Sequence, residues 1–371
     1  MEIRIITCHD VNNFGASLQA YALQTYLKSI GHNVKIIDYV PSYQNQGLKW
    51  SKIPKDSKYY KTLKNKPILK FCYELLKTIS KWRYYLRTIP FRKFKNKYLS
   101  CTEHYKTIQE LKENPPKADL YIAGSDQIWN TRLKNGSDPA FYMDFGDKMT
   151  RRISYAASLG IPFFYEEYTE FVKFELEKLD SISVREESGK KAIIALNISK
   201  SIEVVVDPVF LLSKLEWQKF VQNNNNNKPY IFVYDIYTSD KKIEEYAKKV
   251  QKETGYRLIA INDCNLVKYA DLNKWFVSPI DFISMLANSE FVISNSFHAT
   301  AFSVIFNKPF ATIFNDKANV RMTNFLQEIG LIQCMNPTVL LDNSSFHWRD
   351  VNNKISKLIK SSKDFLIQNI Q

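Results

Sequence analysis

The segment from residue 3 to residue 24 contains the apolar run IRIIT (residues 3–7) and, after a short polar stretch, NNFGASLQAYALQ (residues 12–24). A buried strand, a turn of small residues and a helix whose first N–H groups are unpaired form an arrangement that binds anions in nucleotide folds. Only Gly15 is a glycine, whereas the dinucleotide fingerprint requires three, and Asp38 at the end of the next apolar run does not complete it. The segment therefore predicts a β–α–β beginning without a nicotinamide or flavin site.

Composition indicates a globular protein with room for two domains. The chain has 371 residues, of which 45% are hydrophobic and 14% aromatic. The first residues lack a basic leader and no run approaches the roughly 20 apolar residues of a spanning helix, so we expect a cytoplasmic protein. Five scattered cysteines predict neither a disulfide framework nor a zinc site, and the histidines form no metal-binding motif. We expect no metal.

The net charge of +14 comes from one segment. Residues 49–100 contain 16 lysines and arginines and two acids, whereas the rest of the chain is balanced. Within it, PILKFCYELLKTISKWRYYLR (67–87) predicts a helix with an apolar stripe, and Lys70, Lys77, Lys81 and Arg83 lie on its flanks or away from it. The stripe consists of Ile68, Cys72, Leu75, Ile79, Trp82 and Leu86. Such a helix suits an anionic membrane surface or a lipid pyrophosphate; alternatively, the stripe packs on the first domain and the charges are solvated.

Strand and helix patterns alternate twice along the chain, which predicts an α/β fold with two Rossmann-like domains facing a cleft. We place the first domain at 1–212, with a basic helical insertion at 49–100, and the second at 229–345. The polar stretch QNNNNNK lies in a linker at 213–228. The amphipathic end, 346–371, could pack back on the first domain. Ligands should bind at the carboxyl ends of the strands, between the domains.

SEFVISNSFHATAFSVIFNKP (289–309) holds the most informative candidate site. An apolar strand is followed by a turn with Ser296 and His298 and then by a helix, so His298 lies where an anionic ligand would bind. The small residues Ala299 and Thr300 leave room for that ligand. The alternative is a histidine that only caps the helix.

Two arginines occupy similar positions. Arg185 in SISVREES follows an apolar strand and precedes a helix, where a guanidinium can bind phosphate or carboxylate with two hydrogen bonds. A surface ion pair with Glu186 or Glu187 is equally compatible with the spacing. Arg321 opens a helix in the second domain, where an arginine alone is usually an exposed charge.

AGSDQIWN (123–130) places Ser125, Asp126 and Gln127 at a strand end, followed by Trp129. Asp126 could act as general base toward a sugar hydroxyl, and Trp129 could stack on a sugar ring. We assign all four to acceptor binding or catalysis. Alternatively, Asp126 caps the next turn and Trp129 belongs to the core.

NNFGASLQAYALQ, AGSDQIWN, SYAASLG, SVREES, VVDPVFLL and SNSFHATAFSVIFNKPF occur in this order over roughly residues 1 to 330. Together they resemble the polysaccharide pyruvyl transferase family. The resemblance implies a two-lobed fold like that of GT-B glycosyltransferases, His298 as acid/base catalyst, and Arg185 and Arg321 around the donor. Many members have Arg at the position of Ser296 and Gly at that of Ala299, so the donor contacts differ here.

The resemblance also implies transfer of a pyruvyl group from phosphoenolpyruvate, a substrate rather than a cofactor, to a sugar as a ketal. Phosphoenolpyruvate carries a phosphate and a carboxylate, which need at least two cationic or N–H-rich contacts. A histidine is the ordinary proton donor near neutral pH. We therefore assign Ser296, Ala299 and Thr300 to the donor side, and Asn13, Phe14 and Gly15 to the acceptor side.

Two other functions fit parts of the sequence. A GT-B glycosyltransferase using a nucleotide sugar would have the same two lobes, since fold alone does not decide function. A non-catalytic protein that binds a membrane or nucleic acid would need the basic segment but not the polar residues at the strand ends. The acceptor we expect is a lipid-linked precursor of capsule or exopolysaccharide, with nucleic acid an improbable partner.

Overall fold

The computed structural model of this chain describes residues 1–44, 62–63, 65–222, 228–236, 241–261, 266–314 and 320–370, without the side chains of residues 80, 81, 83, 84, 320 and 321. Parts of the predicted basic insertion (49–61 and 64) and of the predicted linker (223–227) therefore lie outside the description.

The first lobe is built on a parallel sheet with the strand order β3-β2-β1-β4-β5. Its strands are β1 (Glu2–Ile6), β2 (Asn33–Tyr39), β3 (Cys101–Tyr105), β4 (Leu120–Ala123) and β5 (Arg151–Ser154). The parallel pair β6 (Ile182–Val184) and β7 (Ile202–Val204) continues this sheet, because single backbone bridges join residues 153 to 181 and 157 to 184.

The second lobe repeats the same topology in the order β10-β9-β8-β11-β12. Its strands are β8 (Tyr230–Tyr234), β9 (Arg257–Ile261), β10 (Leu272–Lys274), β11 (Phe291–Ser294) and β12 (Phe310–Thr312). Every residue of β8 and β11 is buried, as expected for central strands covered by helices on both faces. The two parallel sheets confirm the predicted α/β class with two Rossmann-like lobes.

Helices cover both sheets and are numbered in chain order. They are α1 (Phe14–Ser29), α2 (Pro67–Tyr98), α3 (Ile108–Glu113), α4 (Thr169–Glu177), α5 (Glu187–Ile194), α6 (Lys214–Gln218), α7 (Lys241–Thr254), α8 (Pro279–Ala287), α9 (Phe297–Phe306), α10 (Val320–Ile329) and α11 (Trp348–Ile370). Strand β3 was not predicted from the sequence, because CTEHY is an edge strand with mostly polar side chains, of which only that of Tyr105 is buried.

Residues 67–98 of the basic segment form one long helix, α2, whose C-terminal third is anchored to the first lobe. Phe91 and Phe94 are buried there, and Lys95 Nζ lies 2.6 Å from Asp38 Oδ1 and 2.9 Å from Asp10 Oδ2. Asp38, at the end of β2, is thus engaged by the helix and is not placed to bind a ribose. No helix within the described residues is long and apolar enough to cross a bilayer.

Helix α11 and the start of α1 both help to join the lobes. Helix α11 follows the second lobe but returns to the first, where the Val206 N–H donates to Ser362 Oγ (2.9 Å) and Arg151 Nη2 donates to the Asn369 carbonyl (2.8 Å). Phe14, at the start of α1, stacks on Phe282 of α8 with ring centroids 4.6 Å apart. One continuous apolar cluster therefore runs through both lobes.

Candidate active site

His298 lies in the first turn of α9, directly after the central strand β11. The side chain of Ser296 caps this helix by accepting a hydrogen bond from the Ala299 N–H (3.4 Å). The imidazole is buried, and within the described residues its Nε2 has no hydrogen-bond partner. Nε2 instead lies 3.4 Å from Oδ2 of Asp207, a residue of the first lobe. The histidine is therefore positioned between the lobes with a nitrogen whose hydrogen-bonding capacity is unused.

Asp207 is the centre of this site, although the sequence analysis did not select it. Its Oδ2 accepts hydrogen bonds from Arg185 Nη1 (2.7 Å) and Ser125 Oγ (3.1 Å), while Oδ1 accepts from the Val209 N–H (3.1 Å). Burial alone would raise the pKa of Asp207, but the neighbouring His298 and Arg185 outweigh it and hold that pKa well below its ordinary value. The carboxylate is therefore ionised at any physiological pH. The available signal was an aspartate followed by proline after an apolar strand, in VVVDPVF.

Arg185 follows β6 and is buried, with its guanidinium 4.6 Å from the Phe297 ring. Among the residues that the structure describes, its Nε has no hydrogen-bond partner, and it lies 3.6 Å from Glu186 Oε2. Desolvation would lower the pKa of Arg185, but the carboxylates of Asp207, Glu186 and Asp126 raise it above its ordinary value. The predicted alternative of a surface ion pair is wrong, because this arginine is inside the site and its principal partner is Asp207.

The start of α1 contacts the catalytic candidate directly. Asn13 caps α1 by accepting a hydrogen bond from the Ala16 N–H (3.1 Å). A Cβ placed on Gly15 would lie 1.9 Å from Nδ1 of His298. A glycine is therefore required at this position so that the helix of the first lobe can pack against the imidazole of the second.

Asp126 lies beside this cluster in an unusual backbone conformation. It follows Ser125 at the end of β4, is half-buried, and has a φ of +75°, which is uncommon for a residue with a side chain. The described residues donate no hydrogen bond to its carboxylate, so the predicted role as a helix or turn cap is not observed. Its role as a base stays a prediction, as does a sugar contact for Gln127, whose Oε1 accepts a hydrogen bond from Asn130 Nδ2 (2.7 Å).

Two aromatic residues that we assigned to the acceptor belong to the core. Trp129 is fully buried, stacks on Tyr142 with centroids 5.6 Å apart, and donates from Nε1 to the Phe141 carbonyl (3.1 Å). Phe14 is buried between Phe91 and Phe282. Both predictions were wrong because an aromatic residue next to polar strand ends can turn inward, and the sequence pattern does not distinguish the two directions.

Several small polar residues support the site without facing a ligand. Ser125 is fully buried and its hydroxyl is used by Asp207, so its assignment to acceptor binding was wrong. Ala299 is also fully buried, and Thr300 Oγ1 is engaged by Thr312 Oγ1 (2.7 Å), so neither contacts the donor as predicted. Ser296 is buried as well and serves as the cap of α9.

A pocket of about 440 Å³ adjoins the cluster. Arg185, Asp207 and Phe297 line it on one side, and Asn324 of α10 lines it on another. Arg321 lies in the first turn of α10, three residues before Asn324, but its side chain is outside the described part of the chain. The predicted role of Arg321 at the donor therefore stays a prediction.

Two solved structures illustrate the similarity in fold, at low sequence identity. The UDP-N-acetylglucosamine 2-epimerase from Rickettsia bellii is 11% identical and aligns over 100% of this chain and 96% of that chain with a TM-score of 0.52. The MnaA protein of S. aureus, solved with UDP, is 12% identical over 96% of this chain and 88% of that chain with a TM-score of 0.50. No curated protein matches the chain in sequence. These similarities establish the fold alone, which is that of a GT-B-like α/β protein.

The sequence identifies the family within this class. The model of the polysaccharide pyruvyl transferase family matches residues 13–316, which include Gly15, Arg185, Asp207 and His298. The chain therefore belongs to the polysaccharide pyruvyl transferase family and is a transferase. The interpretation of the whole protein as a non-catalytic binder of membranes or nucleic acid is accordingly set aside.

Proposed function

We propose that this enzyme transfers the enolpyruvyl group of phosphoenolpyruvate to two hydroxyls of one sugar, forms a cyclic pyruvate ketal and releases phosphate. The observation that carries the proposal is the buried Nε2 of His298, which has no hydrogen-bond partner among the described residues and faces the Asp207–Arg185 pair. Histidine side chains commonly act as general acids and bases, and Asp207 Oδ2, 3.4 Å from Nε2, can orient the ring.

The first half of the reaction needs an acid and a base. His298 donates a proton to the methylene carbon of phosphoenolpyruvate, which becomes a methyl group, while positive charge develops at C2. The oxygen of the first sugar hydroxyl bonds to C2, and Asp126 accepts the hydroxyl proton. Asp126 suits this role because no described residue donates a hydrogen bond to its carboxylate and it lies close enough to influence the pKa of Arg185.

The second half of the reaction returns His298 and Asp126 to their starting protonation states. The bond between C2 and the phosphate oxygen breaks, and phosphate leaves with the proton held by Asp126. The oxygen of the second hydroxyl then bonds to C2, and the neutral His298 accepts its proton. Two hydroxyl protons are thus accounted for, one in the methyl group and one on phosphate, and the enzyme returns to its starting state.

Donor recognition in this proposal relies on cations that are only partly neutralised. Arg185 already pairs with Asp207, but its Nε has no hydrogen-bond partner within the described residues and remains a donor for an anionic oxygen. The first N–H groups of α9, at Phe297 and His298, have no acceptor inside the helix. Since Asp207 and Glu186 repel an anion, we propose that Arg321 supplies a further positive charge to the donor.

We also propose that the acceptor is a lipid-linked saccharide at the cytoplasmic face of the membrane. The carbohydrate would enter along Asn13 and Gln127, the two acceptor candidates that remain partly exposed. The alternative donor is a nucleotide sugar, in line with the UDP bound by a structurally similar protein. That alternative predicts binding of a nucleoside diphosphate and no phosphate release from phosphoenolpyruvate.

The decisive experiment incubates the protein with phosphoenolpyruvate and candidate sugar-lipids, and measures phosphate release and the mass of the product. We expect an acceptor-dependent release of phosphate and a gain of one pyruvate less one water in the product. His298→Ala should reduce turnover by about 10²- to 10⁴-fold, the usual contribution of a general acid. Near-normal turnover of this variant, or a requirement for a nucleotide sugar, would refute the assignment.

A further inference from the structure

The N-terminal half of α2 carries large apolar side chains on its outer surface. Ile68 is 77% exposed, Leu76 66% and Trp82 53%, and Leu69 and Ile79 are also exposed. Full exposure of such side chains costs roughly 1.5 to 3 kcal/mol each relative to burial, so a row of them on one helix indicates a surface that is covered in use. The predicted alternative, in which this stripe packs on the first domain, was wrong.

The same helix has a strongly positive charge. Residues 67–98 contain nine lysines and arginines and one acid, Glu74. The N-terminal half itself, residues 67–82, contains three of these cations, Lys70, Lys77 and Lys81, of which Lys77 is exposed, and the acid Glu74. In the C-terminal half, Arg92 and Lys93 are exposed, whereas Lys95 is neutralised by Asp10 and Asp38. Interleaved cations and apolar or aromatic residues on a helix that cannot span a bilayer are the composition of an interfacial helix.

We propose that this half of α2, residues 67–82, is a docking surface for an anionic lipid membrane. The charge argues against a second copy of the chain as the occupant, because two such helices would bring like charges together. Isoleucine and leucine side chains at more than half exposure argue against nucleic acid, which is bound through phosphate contacts and base stacking on aromatic rings. The interface of an anionic lipid bilayer accommodates both the exposed apolar side chains, among the acyl chains, and the positive charges, beside the headgroups.

The docking surface is connected to the site through the same helix. In the C-terminal part of α2, Arg87 Nη2 donates to the Asn12 carbonyl (2.9 Å), and Asn12 Nδ2 donates to Thr88 Oγ1 (3.1 Å). The Phe91 ring lies 5.1 Å from that of Phe14, immediately before Gly15. Docking would therefore hold the acceptor side of the cleft near the bilayer. Only this connection to the acceptor rests on the proposed function; lipid binding does not.

The test uses the full-length protein and vesicles made either of phosphatidylcholine or of equal parts phosphatidylcholine and phosphatidylglycerol. We expect sedimentation with the anionic vesicles at about 0.1 M salt and release at about 1 M, where charges are screened beyond about 3 Å. The emission of Trp82 should shift to the blue on binding, a change that Trp82→Phe lacks. No sedimentation at the lower salt, or equal sedimentation with neutral vesicles, would overturn the proposal.

Substitutions in α2 test whether the membrane binds at this surface. Leu76→Asp combined with Ile79→Asp should reduce binding at least tenfold, and Lys77→Gln should reduce it about fivefold, which corresponds to roughly 1 kcal/mol for one cation. Leu215→Asp is the matched control, because this leucine is similarly exposed but lies on α6. Binding of the double variant to the vesicles as tightly as the wild type would overturn the proposal. So would the finding that the wild type is a dimer that does not bind vesicles, whereas the double variant is a monomer, because the surface would then be a dimer interface.

The activity measurement separates this inference from the proposed reaction. The double variant should keep the wild-type rate with a water-soluble acceptor and lose rate only with an acceptor embedded in anionic vesicles. Because sedimentation requires neither donor nor acceptor, an inactive enzyme that still binds vesicles would refute the reaction and leave the docking surface supported.

Discussion

Replacing Gly15 by alanine tests the interlobe site most directly. The added Cβ would lie 1.9 Å from Nδ1, 2.3 Å from Cε1 and 2.4 Å from Cγ of His298, all atoms of one rigid ring. Ordinary contact begins at 3.4 Å, so the ring or the start of α1 must move by about 1.5 Å. A misplacement of about 1 Å can cost about 10²-fold in rate, so we expect kcat, measured by phosphate release, to fall by about that factor. Overpacking typically costs about 1–3 kcal/mol, so we expect the free energy of unfolding to fall by that amount.

Two further variants separate this contact from general destabilisation. Gly31 has a φ of +94° and a Cβ added there would meet no atom within 4 Å, so Gly31→Ala strains the backbone at a cost of about 1–2 kcal/mol and should leave kcat unchanged. In the His298→Ala background the ring is absent, so Gly15→Ala should cost little additional stability. If Gly15→Ala alone keeps the wild-type rate, or if its cost in stability persists without the ring, the contact with His298 is not what requires glycine.

Three other substitutions test the charges. Arg185→Lys keeps the charge but loses the planar fork, so we expect at least a tenfold higher KM for phosphoenolpyruvate, and an unchanged KM would exclude Arg185 from the donor site. Asp207→Asn removes the principal charge partner of the buried Arg185 side chain, leaving only the more distant Glu186 and Asp126, and should lower the free energy of unfolding by about 3–5 kcal/mol near pH 7. The pKa of Asp207 is lower in the folded state than its ordinary value of 3.8, so the ionised carboxylate contributes its full stabilisation above about pH 3.8. This contribution decreases as the pH falls below 3.8, by up to about 1.4 kcal/mol per pH unit. Asp207→Asn should lack the decrease when urea titrations are compared over this pH range. Lys95→Gln should lower the free energy of unfolding by about 1–3 kcal/mol by removing one of the partners of Asp38, which His9 Nε2 also contacts at 2.8 Å. The exposed Lys97→Gln should change it by less than about 0.5 kcal/mol.

The fold and part of the site were predictable because they depend on local pattern. Apolar runs followed by amphipathic helices identified both α/β series, and the position of His298 after such a run placed it at the cleft. Arg185 was found by the same rule. The fold class is confirmed, and both residues lie after strands because parallel strands present their carboxyl ends at one edge of the sheet. Their roles in binding and catalysis stay predictions.

The remaining features depend on contacts between distant parts of the chain. Asp207 matters only because residues 125, 185 and 298 converge on it, and no local pattern of VVVDPVF indicates that convergence. The inward direction of Trp129 and Phe14 is decided by neighbours such as Tyr142 and Phe282. The edge strand β3 is stabilised by pairing with β2 rather than by burial of its own side chains.

The stacking of Phe14 on Phe282 affects how the molecule unfolds. Phe14 also contacts Tyr234 at 5.4 Å, so a residue at the beginning of the chain completes the apolar core of the second lobe. Separating the lobes would expose aromatic surface on both, which makes independent melting of either unfavourable. Calorimetry of the intact chain should therefore record one cooperative transition whose van't Hoff and calorimetric enthalpies agree, and either lobe expressed alone should be poorly folded.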